Sequence, residues 1–153
     1  MTAEKLRAAG VEMIGVVGTA ADRARRYFNY RKPRYLVAAD PALASHRAFG
    51  LPNTAFTEEL FKVASAKIDG LARESGHNVP DGGGWEALDR EDEIQPNEFA
   101  PDIERHQAQR TGQFLIDRQG LIRWSNIETE RDGIEGLDRF PSDDELLAAA
   151  KGL

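Results

Sequence analysis

The residues that could do chemistry are few, and the most informative fact is that the chain contains no cysteine. A thiolate is the nucleophile of thiol-redox enzymes, so this chain cannot perform thiol chemistry by itself. Three histidines are present, His46, His77 and His106, and no pair of them has a metal-ligand spacing such as H-x-x-x-H. The sequence therefore predicts no catalytic residue, no metal site and no cofactor.

Other motifs carry weaker signals. The acidic stretch from Asp89 to Glu98 lacks the residue order of a calcium loop, which favours a solvated surface over an ion site. Gly82-Gly83-Gly84 is not followed by the Lys-Ser/Thr of a phosphate loop, so we interpret it as a linker. Gly18-Thr19 could present backbone N–H groups to an anion, although a capped turn is the preferred interpretation. No serine has the Gly-x-Ser-x-Gly context of a hydrolase.

Composition sets the general class of the protein. A chain of 153 residues with 41% hydrophobic residues is most simply one globular domain. Its net charge of -6 disfavours nucleic acid and anionic membranes as partners. Residues 1–20 lack the pattern of a signal peptide, and no apolar run approaches the roughly 20 residues of a membrane span. These features predict a cytoplasmic protein that binds neither nucleic acid nor membrane.

The first fifty residues alternate between helical and strand patterns. They predict helices at 2–9, at 20–31 and from Asp40-Pro41 onward, and strands at 11–17 and 35–39. Gly10 is expected to end the first helix, and Thr19 with Asp22 resembles a capping box. Asp40 is expected as an N-cap with Pro41 at the first helical position. This order of elements predicts an α/β fold with parallel strands.

The second part of the chain contains an insert and a hairpin. Residues 57–74 have the three- and four-residue apolar spacing of a helix, whereas residues 75–110 are rich in Gly, Pro and acids and are expected to be irregular. Residues 113–125, with Gly120 in the turn, predict a β-hairpin. Ser142 and Glu145 have the spacing of a capping box at the start of a final helix.

Four segments together resemble a known family. They are the strand Val11–Val17 with the helix after it, Val37–Pro41 followed by His46–Leu51, the hairpin Phe114–Trp124, and the final helix Asp143–Lys151. They look like the corresponding parts of the alkyl hydroperoxide reductase/thiol-specific antioxidant family, in particular its peroxiredoxin-like branch. The resemblance covers about two-thirds of the chain, and residues 57–110 match nothing in that family. It implies a single thioredoxin-like domain over residues 1–153: a three-layer α/β/α fold with one mixed sheet and an insert at 57–110.

The chain departs from the family pattern in its site residues. By the resemblance, the first strand and the reactive cysteine would precede Met1, and the family's arginine near that cysteine matches Thr111, beside Arg110. Gly112 stands where thioredoxin itself has a cis-proline. The resemblance thus implies a vestigial cleft at Thr19, Arg110, Thr111 and Gly112. A missing central strand leaves backbone groups unpaired, so we expect an upstream segment, a rearranged sheet or a strand-supplying partner, including a homodimer.

Two functions remain open from the sequence. The first is a thiol-dependent antioxidant oxidoreductase of this family, inactive without a cysteine and served by a thiol reductant only if a cysteine segment lies upstream. The second is a non-catalytic thioredoxin-fold module that binds a protein partner through exposed sheet edges or through residues 75–110.

Overall fold

The N-terminal third of the chain forms a parallel β-α-β unit preceded by a helix. The structure is a computed structural model that describes residues 2–30, 32–95, 98 and 100–153. Its first elements are α1 (Thr2–Ala8), β1 (Ile14–Val17), α2 (Ala21–Tyr30) and β2 (Leu36–Ala39). β1 pairs in parallel with β2, from Ile14 opposite Leu36 to Val17 opposite Ala39. This part of the α/β prediction is confirmed, except that Arg31, at the end of the predicted second helix, lies outside the described residues.

β1 is shorter than the predicted strand because the end of α1 occupies the residues before it. Gly10 adopts φ +82°, the left-handed conformation expected of a residue that ends a helix. The N–H of Val11 then donates to the carbonyl of Leu6 at 2.9 Å, so Val11 closes the helix rather than opening the strand.

The predicted helix start at Asp40-Pro41 is wrong. The short helix α3 spans Ala44–Ala48, and Leu43 precedes it with φ +53°. Residues 40–43 form a turn, in which the N–H of Leu43 donates to the carbonyl of Asp40 at 3.0 Å. The Asp40 side chain still accepts from a helix N–H, that of Ser45 at 2.7 Å, so a carboxylate does bind the first turn, but from five residues upstream.

The insert is more ordered than the sequence indicates. α4 (Glu58–Glu74) is confirmed, with the Thr57 side chain accepting from the N–H of Leu60. The prediction that residues 75–110 are irregular is wrong, because the structure has α5 (Gly84–Glu91), α6 (Ala100–His106) and β4 (Ala108–Gln109) there. β4 pairs with β3 (Asn53–Thr54). α5 begins where it does because the Asp69 carboxylate of α4 accepts hydrogen bonds from the N–H groups of Gly82 and Gly84, at 2.7 and 2.8 Å. These bonds hold the first residues of α5 against α4.

The C-terminal part is as predicted. β5 (Gly112–Ile116) and β6 (Ile122–Ile127) form the hairpin, with Gly120 at φ +82° in the turn. A 3₁₀ turn at Gly133–Gly136 follows, and α7 (Asp143–Ala150) closes the chain. Both hydrogen bonds of the predicted capping box between Ser142 and Glu145 are present.

The strands do not form the single mixed sheet that the resemblance implies. Over the described residues they form three two-stranded sheets: β1 with β2, β3 with β4, and β5 with β6. One core cluster joins α1, β5 and α7 through Leu6, Leu115 and Ala150, and Val11 packs against it. Among the described residues β1 and β5 do not pair with each other, and no residue of β1 belongs to this cluster. None of the described helices has the length and apolar character needed to cross a membrane.

Candidate functional site

A buried polar cluster lies beyond the carboxyl end of β1. Asp102 of α6 accepts a hydrogen bond from the Thr19 hydroxyl at 2.6 Å and pairs with Arg23 of α2 at 2.7 Å. Its other oxygen pairs with Arg105, one turn further along α6. The helix α2 begins at Ala21, so the residue just before it is Ala20 and not Thr19, and the Thr19 hydroxyl donates to Asp102 instead. This cluster fixes the insert onto the parallel unit.

The ionisation of Asp102 follows from these contacts. Burial by itself raises the pKa of this carboxyl, but the hydrogen bonds from Thr19 and Arg23 and the charges of Arg23 and Arg105 outweigh it. The net result is a pKa below the usual range for aspartate. Asp102 is thus an anion that balances two arginines, which suits a structural tie between α2 and α6 and gives no poised acid or base.

A second group lies beyond the carboxyl end of β2. The hydroxyl and N–H of Ser45 both donate to Asp40 and lower its pKa to about 2. His46 packs beside Gly18, where a Cβ would come within 3.9 Å of the His46 ring and 2.5 Å of the Leu43 side chain. Gly18 is therefore required for the close approach of α3 to the end of β1.

His46 and His106 each keep a buried ring nitrogen without a hydrogen-bond partner, Nδ1 and Nε2 respectively. Burial lowers the pKa of His46, the charge of Asp40 raises it, and the nearby His106 lowers it further. Sequence reasoning does not bring these two histidines together, because they are 60 positions apart and the sequence of the insert predicts an irregular segment. The sequence signal that could have indicated α6 is its charge pattern. Asp102 lies in the first turn, and Arg105 and His106 lie in the last turn, as the helix dipole favours.

The predicted cleft residues 110–112 lead from β4 into β5, whose first residue is Gly112. Arg110 is only 6% exposed, and its Nε has no hydrogen-bond partner. The N–H of Thr111 donates to the buried carboxylate of Glu128 at 2.9 Å. A Cβ at Gly112 would lie 2.5 Å from the Leu51 side chain and 2.7 Å from the Phe114 ring, so only glycine fits there. The hydrogen bonds of the cleft residues thus lead to different partners: Thr19 to Asp102, and Thr111 to Glu128.

The sheets leave apolar side chains and backbone edges exposed. Ile14, Val16 and Leu36 lie on one face of the β1–β2 pair, and Ile14 and Leu36 are 63% and 74% exposed. Ile116 and Ile122, which are paired across the β5–β6 hairpin, are also about half exposed. Soluble proteins normally bury such strand residues, so these faces indicate an interaction surface.

The described side chains contain no cluster of three or more His, Asp or Glu residues that is arranged to hold a metal ion. Comparisons with known protein families, with characterised proteins and with solved structures each found no match for this chain.

Proposed function

We propose that this chain is a thioredoxin-like module that binds an extended polypeptide strand between β1 and β5, and that its own residues perform no thiol chemistry. The observation that carries the proposal is the division of the strands into separate two-stranded sheets. Among the described residues β1 pairs only with β2 and β5 only with β6, so each has one edge that pairs with no other strand. In the family that the sequence resembles, the central strand lies between the counterparts of these two strands.

Main-chain geometry supports the availability of the β1 edge. The carbonyl of Val17 accepts from the N–H of Asp40 at 2.8 Å, so Val17 directs its backbone groups toward β2. Because these groups alternate along a strand, Val16 directs its N–H and carbonyl to the opposite edge. An added strand would pair with those groups, as in other cases of strand addition, where the main chain gives affinity and the side chains give specificity.

The occupant that fits is one strand from another polypeptide, with apolar residues at alternate positions. The exposed Ile14, Val16 and Leu36 offer such residues an apolar surface on one face. A second copy is less suitable, because pairing of β1 with β1 across a two-fold axis leaves both β5 edges open. One inserted strand satisfies β1 and β5 together.

The test uses a synthetic ten-residue peptide of alternating Val and Thr, labelled for fluorescence anisotropy. We expect saturable binding to the full chain, and no binding of a matched peptide with proline at every second position, because proline has no N–H to donate. Light scattering on the same samples measures whether the chain is a monomer or a dimer. Equal binding of both peptides, or a stable dimer that binds neither, would overturn the proposal.

Two variants locate the binding edge. Val16→Pro removes the outward N–H of β1 and should abolish peptide binding, whereas Val16→Thr keeps the N–H and the branched shape and should bind as the unmodified chain does. Urea unfolding of both variants shows whether the fold survives. If Val16→Pro does not fold, Ile14→Lys, at a largely exposed side chain, replaces it and is expected to weaken binding.

One observation favours a second candidate, in which the added strand brings a cysteine and completes a peroxide reductase. Arg110 is buried just before β5, and no acidic partner for its guanidinium is found in the described part of the chain. Such an arginine can stabilise a thiolate. The thiolate would attack a hydroperoxide oxygen, giving a sulfenic acid and, with one proton, an alcohol; dithiothreitol would return the thiol and release water.

The assay for this candidate is peroxide consumption with dithiothreitol. The chain alone should show no turnover. Adding a strand peptide with a C-terminal cysteine should give turnover above that of the peptide by itself, and Arg110→Gln should reduce it. No gain from the chain would reject the enzyme and leave the binding module in place.

A further inference from the structure

A pocket that is separate from the sheet edges opens beyond the carboxyl end of β2. It has a volume of about 480 Å³ and is walled by Leu43, Arg47 of α3, Asn53 of β3, and Arg105 and His106 of α6. In open α/β sheets, ligands bind outside the carboxyl ends of the parallel strands. The position of this pocket relative to β1 and β2 agrees with that rule.

The charge of the pocket differs from that of the whole chain. The chain carries a net charge of -6, yet two arginines and one histidine line this pocket, and no carboxylate lines it over the described residues. A concave site lined by one sign of charge raises the local concentration of ligands of the opposite sign. The pocket is therefore suited to an anion.

Both arginines are held in place with donors to spare. Arg47 donates one N–H from Nη1 to the carbonyl of Ala42 at 2.7 Å. Arg105 donates from Nε to the carbonyl of Pro101 at 3.1 Å, and its Nη2 pairs with Asp102. A guanidinium has five N–H donors, so each arginine retains several for a ligand, while the existing bonds limit the entropy that binding would cost.

Two further polar residues, Asn53 and His106, line the pocket. Asn53 accepts from Gln109 through its side-chain oxygen, which leaves its amide N–H groups for another acceptor. His106 also lines the pocket, and its Nε2 is buried away from solvent without a hydrogen-bond partner.

We infer that this pocket binds a small phosphate monoester. Arg47 of α3 and Arg105 of α6 approach from two helices, and their guanidinium donors suit the several oxygens of a phosphate better than the two of a carboxylate. A volume of about 480 Å³ exceeds the size of a phosphate group, which leaves room for a small organic part. Leu43 and Pro41 provide an apolar wall for that part.

The experiment is calorimetric titration of the full chain at pH 7 with glycerol 3-phosphate and with inorganic phosphate. Glycerol and sodium chloride at matched ionic strength are the blanks, and succinate is the carboxylate comparison. We expect saturable binding of glycerol 3-phosphate, weaker binding of inorganic phosphate, and no heat with the blanks. Succinate binding as tightly as glycerol 3-phosphate would overturn the phosphate assignment, and binding of neither phosphate would overturn the site.

Variants assign the binding to this pocket. Arg47→Gln should weaken glycerol 3-phosphate binding about tenfold or more through loss of a charge-assisted contact. Arg25→Gln, at an exposed arginine of α2 outside the pocket, should bind as the unmodified chain does. His106→Gln is the second variant, to be used if Arg47→Gln does not fold. Unchanged affinity in a folded Arg47→Gln or His106→Gln chain would refute the site.

Discussion

Glu128 offers the sharpest test of how the hairpin is joined to the segment after it. Its side chain is buried, and its two carboxylate oxygens accept the N–H of Thr111 at 2.9 Å and the N–H of Asp138 at 2.6 Å. Asp138 and Thr129 have φ of +65° and +69°, in the left-handed region where residues other than glycine are strained. One carboxylate therefore connects the start of β5 to a strained loop.

We predict that Glu128→Ala lowers the free energy of unfolding by about 3 kcal/mol. A hydrogen bond to a charged group contributes roughly 1.5–3 kcal/mol, and two such bonds are lost. The lower figure applies to each, because Thr111 and Asp138 are exposed residues whose N–H groups can be hydrated once the carboxylate is gone. The stability of Glu128→Gln should lie between those of the unmodified chain and Glu128→Ala. Its amide oxygen can accept one of the two hydrogen bonds, but its NH₂ group would face the other N–H.

Urea unfolding followed by circular dichroism measures this loss, with Glu130→Ala as the matched control. Glu130 is an exposed residue two positions away, so its replacement should change stability by no more than about 0.5 kcal/mol. Hydrogen exchange at the amides of Thr111 and Asp138 should accelerate in Glu128→Ala. If Glu128→Ala and Glu130→Ala unfold at the same urea concentration, the reasoning from these two hydrogen bonds is refuted.

Three further predictions concern stability. Gly70→Ala, within α4 and with open space around the new Cβ, should stabilise the chain by about 0.5–1 kcal/mol. Gly84→Ala should destabilise it, because the new Cβ would lie 2.8 Å from the Asp69 backbone. Thermal melts of the two variants measure both effects. The pKa of Asp102 is lowered on folding, so the Asp102 carboxylate makes the unmodified chain more stable than Asp102→Asn. This advantage should be fully present above about pH 4 and should be lost as the pH falls through the lowered pKa. Thermal melts from pH 7 to 2 that keep a constant difference between the two chains would contradict this. The pKa of His46 is also lowered, so the unfolded chain takes up that proton first and stability should fall below about pH 6.5; His46→Gln should flatten the profile between pH 7.5 and 5.

The sequence predicts elements whose signals are local. Ser142 and Glu145 define the start of α7, and Gly120 defines the hairpin turn, because both signals depend only on residues a few positions apart. The same local reasoning is wrong at Asp40, where the following turn delays the helix to Ala44. There the N-cap and proline signals are satisfied by a turn that packs Leu43 over Gly18, and this is a tertiary effect.

The candidate sites depend on contacts over long separations, which the sequence alone does not predict. Thr19 is a site residue by the family resemblance, but its partner Asp102 is 83 positions away in a segment whose composition indicates irregular structure. The basic pocket likewise needs Arg47 and His106 to line one cavity, although they are far apart in the sequence. Arg110 also follows from the family resemblance, and its burial without a partner at Nε emerges only in three dimensions.

The contact between α1 and α7 determines where this fold should open first. The Thr2 hydroxyl donates to Asp143 at 2.5 Å, across 141 positions of the chain, and Lys5 pairs with the same carboxylate. Holding α1 in place costs the conformational entropy of its seven residues, which the surface ion pair and the packing of Leu6 must offset. Detachment of α1 recovers that entropy and uncovers Leu115 of β5 while the hairpin stays intact. α1 thus covers the core cluster, and its release would expose Leu115 on β5, one of the two strands with which we expect an added strand to pair.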